Sequence, residues 1–150
     1  MMYSIEFDSD LIKGVKLIDI ELLNPHEKII ERKKTSLAKF IKSYDSYYII
    51  SSIVCCHKSL LIIDGHHRYF ALKELGFKKA PVTLIDYQSN SIRTGSINPL
   101  DKKYIVDVGK SSDLLEPKST EHAVYCNNSK SWEPIILLSS MFKINTKEIT

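Results

Sequence analysis

Four aliphatic residues in a row, Leu60-Leu61-Ile62-Ile63, run straight into Asp64-Gly65 and then into a stretch that reads as helix up to Gly76. A short buried strand, a tight turn and a helix are predicted in that order. The order puts His66, His67 and Arg68 in the first helical turn, where unpaired backbone N–H groups and the positive end of the helix dipole face outward. Cationic side chains there are unfavourable to the helix itself. Up to three of them predict a negatively charged partner that offsets the cost, and phosphate is the anion that fits.

A chain of 150 residues can bury a core and is read as one domain, with a core over 15–98 and an extension over 99–150 that completes the site. Hydrophobic residues make up 43% and charged residues 26%, which argues for an ordered, water-soluble chain. The balance of 21 basic against 18 acidic residues, +3 in all, is too mild for a dedicated nucleic-acid binder, so nucleic acid is not the expected partner. Three cysteines, Cys55, Cys56 and Cys126, are an odd number, and the start from Met1 to Asp8 has neither a basic nor an apolar signal region. Both features point to a reduced cytoplasm. The longest apolar run, Ile135 to Leu138, is far below the roughly 20 residues that span a bilayer, so no membrane segment is expected. Asn127-Asn128-Ser129 matches a glycosylation sequon, which has no meaning in that compartment.

Around the central stretch, Val15 to Leu23 alternates loosely and reads as a strand ended by Asn24-Pro25-His26-Glu27. A helix is predicted from Glu31 to Tyr44, with Leu37, Phe40, Ile41 and Tyr44 on one face and Arg32, Lys33, Lys34, Lys39 and Lys42 on a solvated face. Ile49 to Cys56 and Leu60 to Ile63 read as an antiparallel hairpin. Neighbouring strand residues point to opposite faces, so Cys55 and Cys56 cannot chelate one metal and are expected to be plain packing residues. Gly76 suits a left-handed helix cap with Phe77 as its apolar contact, and Ala80 to Tyr87 forms the next strand, with Pro81 as an edge or entry residue. The fold class is α+β, in the order β-α-β-β-α-β followed by a C-terminal extension. In that extension Ser91 to Ile97 is read as a strand, Asp101 to Val108 as a short helix and Gly109 to Glu116 as a polar connection. Pro134 to Phe142 is apolar enough to dock on the domain or to form an oligomer contact.

Three clusters could carry chemistry. In Asp64-Gly65-His66-His67-Arg68, backbone N–H groups and cationic side chains converge on an anion, and Arg68 can grip phosphate oxygens bidentately. Asp64, at the carboxyl end of a strand, could hold a magnesium ion, which prefers one or two carboxylates plus phosphate oxygens. Glu27, in a loop between strand and helix, suits general-base work if the fold brings it to the first cluster. Pro117-Lys118-Ser119-Thr120-Glu121-His122 offers two hydroxyls, a lysine and a histidine.

The segment Ile62 to Phe77, followed by Pro81-Val82 and Asp86-Tyr87, resembles the ParB/sulfiredoxin superfamily, and within it the free L-serine kinases. Those enzymes use ATP or ADP to phosphorylate the hydroxyl of free serine. The resemblance extends to Asn24-Pro25-His26-Glu27, where the family carries a catalytic glutamate, and to Pro117 to His122, where it carries a Thr-x-His phosphate-binding segment. It implies a small mixed-sheet domain in which Glu27, Asp64 and His66 are catalytic. Glu27 would accept the proton of the serine hydroxyl, and Asp64 would assist through Mg2+ or as a second carboxylate. Gly65, His66, His67, Arg68, Lys118, Ser119, Thr120 and His122 would hold nucleotide phosphates or the transferred group. Glu121 stands where the family pattern usually has arginine, so either Glu121 points away or part of the phosphate site is lost. A non-catalytic ParB-like module binding a nucleotide or nucleic acid is the alternative. A sulfiredoxin-like activity is weaker, because position 66 is histidine where that enzyme places cysteine.

Overall fold

The computed structural model describes residues 3–41, 46–111 and 113–145. Its centre is a four-stranded mixed sheet built from β1 (Ile12–Asp19), β3 (Ile53–Cys56), β4 (Ile62–Asp64) and β5 (Lys79–Ile85), in the order β1-β5-β3-β4. β3 and β4 form the antiparallel hairpin expected from the sequence, while β3 and β5 run parallel, connected through β4 and the helix α2 (His66–Glu74). Side chains alternate across the sheet. Ile53, Cys55, Ile62, Val82 and Leu84 join Leu72 of α2 and Ile41 of α1 (Glu31–Ile41) in one core. Val54, Cys56, Ile63 and Ile85 face a second core with Ile105 of α3 (Lys102–Gly109), Ile135 and Leu138. The two cysteines therefore lie on opposite faces, both buried.

The C-terminus of α2 follows its local signals. Gly76 has φ +85°, its N–H bonds the Lys73 carbonyl at 3.0 Å, and the Phe77 N–H bonds the Leu72 carbonyl at 3.0 Å. That pair is the Schellman closure, with Phe77 and Leu72 in the same core as its apolar contact.

Several boundaries differ from expectation. β1 covers Ile12–Asp19, and Ile20–Leu22 form a 3-10 turn. The run over 49–56 is two strands. β2 (Tyr47–Ser51) leaves the main sheet to pair with β9 (Met141–Asn145), and the chain changes sheets at the buried Ser52. The Ser52 hydroxyl meets Thr83 Oγ1 at 2.7 Å and accepts the Ser140 N–H at 2.8 Å, which gives the break its partners. Pro81 lies in a central strand, just before pairing with β3 begins at Val82, so it acts as an entry residue and not an edge one. The strand expected over 91–97 shrinks to β6 (Ile92–Arg93), which pairs with β7 (Ala123–Cys126), itself paired with β8 (Ser131–Pro134). The expected end of α1, with Lys42 and Tyr44, lies outside the described residues. Among the described residues no helix is long and apolar enough to cross a membrane.

Candidate active site

The loop from Asn24 to Ile30 is strapped on both sides. Asn24 bridges to Leu61 beside β4, and Glu27 bridges to Leu115. The Lys28 N–H bonds the Leu115 carbonyl at 2.7 Å, and the Leu115 N–H bonds the His26 carbonyl at 2.8 Å. These ladders bring three segments far apart in sequence to the N-terminus of α2.

Two histidines staple the loop to that helix. His66 Nε2 accepts the backbone N–H of His26 at 3.0 Å and of Glu27 at 3.3 Å, and His67 Nε2 accepts the Ile30 N–H at 3.0 Å. A ring nitrogen that accepts carries no proton, so both rings are neutral in this arrangement. Burial and the neighbouring His26 lower the His66 pKa; burial, Lys33 and Lys118 lower that of His67. The expected trio of cations in the first helical turn is thus corrected to one, Arg68.

Arg68 is itself committed. Nη2 bonds Asp64 Oδ2 at 2.8 Å, and Nη1 bonds the Ser51 hydroxyl. The guanidinium folds over Gly65, whose φ is +107°; a Cβ there would lie 2.9 Å from Nη2. Burial raises the Asp64 pKa while Arg68 opposes it.

Glu27 and this pair line one cleft of about 440 Å³, together with Lys33, Leu37, Lys118 and Thr120. Its Oε1 accepts the Lys118 N–H at 2.8 Å; its Oε2 accepts the Thr120 N–H at 3.1 Å and the Thr120 hydroxyl. Lys118 reaches this position with φ +60°, a left-handed conformation unusual for a residue with a side chain. Since the Thr120 proton goes to a carboxylate, its oxygen accepts from His26 Nε2, 3.1 Å away. Burial alone would raise the Glu27 pKa, but the nearby His26 ring, 3.6 Å from Oε2, the bonds from Thr120 and Lys118, and His66 bring it below the usual carboxylate range.

No protein-family model matches the chain. It is 39% identical over 103 residues to an ATP-dependent L-serine kinase of Staphylothermus marinus, an alignment covering 67% of this chain and 38% of that protein. It is 30% identical over 110 residues to a ParB-like protein of Sulfolobus acidocaldarius, covering 73% of this chain and 52% of that one. It superimposes on a free serine kinase solved with AMP at a TM-score of 0.69 and 13% identity, covering 100% of this chain and 98% of the other. The chain is thus similar in sequence to an L-serine kinase and to a ParB-like protein. Its fold is the free serine kinase fold. It spans little more than a third of the length of the Staphylothermus kinase that it matches, 38%.

In this serine-kinase-like fold, Glu27, Asp64, Gly65, His66, His67, Arg68, Lys118 and Thr120 all line one cleft. Ser119 and Glu121 do not. They border a second cleft of about 310 Å³ with Thr94, Asn98 and Leu100, so the 118–121 loop alternates between the two spaces. Glu121 therefore points away from Glu27. His122 is buried and does not line the cleft; its Nε2 and the Tyr87 hydroxyl share a hydrogen bond of 2.8 Å, and burial lowers its pKa to about 3. Among the described residues no three His, Cys, Asp or Glu side chains converge on a metal position. Asp64 Oδ1 nevertheless has no protein partner among them, which suits the single carboxylate that Mg2+ uses beside phosphate oxygens.

Three members of the site carry no expectation from sequence. Ser51 and Tyr87 fall within runs read as strands. Lys33 is expected on the solvated face of α1, yet it lines the cleft; nothing in the sequence separates it from Arg32 and Lys34 beside it.

Proposed function

We propose that this chain transfers a phosphoryl group from ATP or ADP to the hydroxyl of free L-serine, forming O-phospho-L-serine. The observation that carries the proposal is Glu27, a carboxylate kept ionised in a cleft that Asp64 and Arg68 also line. The serine oxygen forms a bond to the terminal phosphorus of the donor, the bond to the leaving nucleotide oxygen breaks, and the hydroxyl proton passes to Glu27. Its Oε1 accepts one bond and keeps a lone pair for that proton. A carboxylate this weakly basic acts mainly by aiming the hydroxyl, with proton transfer late, as suits a loose phosphoryl-transfer transition state.

The other roles follow from position. Arg68, Lys118 and the backbone at Gly65 and His66 would face the donor phosphates, and His67 would add a neutral ring. Asp64 would hold Mg2+, which neutralises phosphate charge when bound. Thr120 acts on Glu27 and His122 supports the wall behind it; Ser119 contributes only through its loop. Residues 1–150 would then work as one unit, because Lys118 and Thr120 of the extension complete the carboxylate's hydrogen bonding. Three free cysteines, all buried, fit the cytoplasm. The kinase relative supports this reading. The ParB-like relative supports a second one, a module that binds nucleotide or nucleic acid without transfer.

Incubating the chain with L-serine, Mg2+ and ATP or ADP, and assaying phosphoserine by mass spectrometry, tests the first reading. Product with either donor supports it. No product with either, alongside measurable nucleotide or nucleic-acid binding, overturns it in favour of the second.

A further inference from the structure

We propose that Lys33 and Lys118 form a two-ammonium seat for the terminal phosphate of the donor, so that this cleft grips a nucleoside polyphosphate and not a monophosphate. The inference rests on the kinase reading and assigns Lys33, the third residue of α1, a binding role. Both lysines line the same cleft as Glu27, Asp64 and Arg68.

The other charges around that space are already matched. Arg68 is paired with Asp64 at 2.8 Å, and Glu27 receives N–H bonds from Lys118 and Thr120. Lys34, next in the helix, sits 2.9 Å from Glu31 and 3.3 Å from Glu74. Lys28 pairs with Glu116 at 2.9 Å. Among the described residues Lys33 and Lys118 have no carboxylate within ion-pair distance. Both instead line the Glu27 cleft on either side of His67 in sequence order, close enough that the Lys118 ammonium lowers the Lys33 pKa and both lower that of His67.

Two like charges brought together at a cleft, one of them also opposing the dipole of its helix, cost free energy in the unliganded protein. A dianionic phosphate group removes that cost. It offers several acceptor oxygens to two ammonium groups at once, and its charge restores the lysine's preference for the protonated form. A monophosphate bound at Gly65 and Arg68 would leave the seat empty.

The test is a ladder of AMP, ADP and ATP affinities by titration calorimetry, for the unaltered chain, Lys33→Gln, Lys33→Arg and, as a control on the outer part of the same helix, Lys39→Gln. Lys33 is exposed, so its substitution leaves the fold intact. Lys33→Gln is expected to weaken ADP or ATP about tenfold and AMP less than about twofold, with Lys33→Arg restoring most of the loss. Near pH 9 the unaltered chain should take up protons on binding the polyphosphate, read from buffers of different ionisation enthalpy, and Lys33→Gln should take up fewer. Equal weakening of all three nucleotides, or no weakening of any, overturns the seat. Phosphoserine formation is measured on the same samples. Product formed with an unchanged ladder sinks the seat alone, whereas an intact ladder without product sinks the kinase reading alone.

Discussion

Acidification should release the Glu27 loop, and the linkage can be worked from two histidines. His66 is held neutral by accepting two backbone N–H groups, and His122 by burial; both have pKa values lowered from 6.5, that of His122 to about 3. A group whose folded pKa is depressed contributes stability that is complete above its unfolded value and is lost as pH falls toward the folded one. The window therefore opens near the ordinary value of 6.5 and runs down to about 3. Between pH 7 and pH 5 each histidine should cost about 2 kcal/mol, or about 4 kcal/mol for the pair, a large share of a typical stability of about 5–15 kcal/mol. Glu27, also depressed, adds its own loss at lower pH, from the ordinary value of 4.5 downward. The assay is urea unfolding at several pH values. His122→Gln keeps a hydrogen-bonding partner for Tyr87 but does not titrate, so it should lose about half as much stability over the same interval. A loss below about 1 kcal/mol in the unaltered chain, or equal losses in both, would refute the neutral-staple account.

Three further outcomes follow from individual contacts. Glu27→Gln should lower phosphoserine formation by about 10²–10⁴-fold while changing ADP affinity less than about threefold, measured by product assay and calorimetry. Gly65→Ala should destabilise by more than about 1 kcal/mol in urea unfolding, because its φ of +107° suits glycine and the new Cβ would meet Arg68 Nη2 at 2.9 Å. Ser52→Ala leaves the buried Ser140 N–H without its 2.8 Å partner and should cost about 1–3 kcal/mol, read from the denaturant midpoint.

What the sequence discloses is what neighbouring residues decide. The strand, turn and helix around Asp64, the Schellman cap at Gly76, the opposed cysteines and α3 rest on signals within a few residues of one another. The split of 49–56 is invisible because the partner of β2 is β9, about ninety residues later, and a strand's sheet is chosen by its partner. The β7–β8 hairpin is missed for a related reason. Its turn, 127–130, shows only as a sequon, and its strands are four residues each. Glu27 stands out as a loop carboxylate, but its meaning comes from Lys118 and Thr120, which long-range pairing such as the Glu27–Leu115 bridge brings near.

Charge is the sharper case. His66 and His67 are correctly located at the head of α2, yet expecting them to be cations mistakes their sign. A histidine's protonation is set by what its nitrogens meet, and here they meet backbone N–H groups of a loop some forty positions earlier. Two neutral rings cannot supply the attraction that a phosphate tail needs. Arg68 is half spent on Asp64, so the charge must come from elsewhere around the cleft. Lys33 and Lys118, one a supposed surface lysine and the other a loop residue strained into a left-handed conformation, are the groups left with charge to give. On the proposed reading, the anion affinity first suggested by one helix end is therefore a property of three segments. Folding that keeps the α2 terminus but displaces α1 or the 118–120 loop should abolish it.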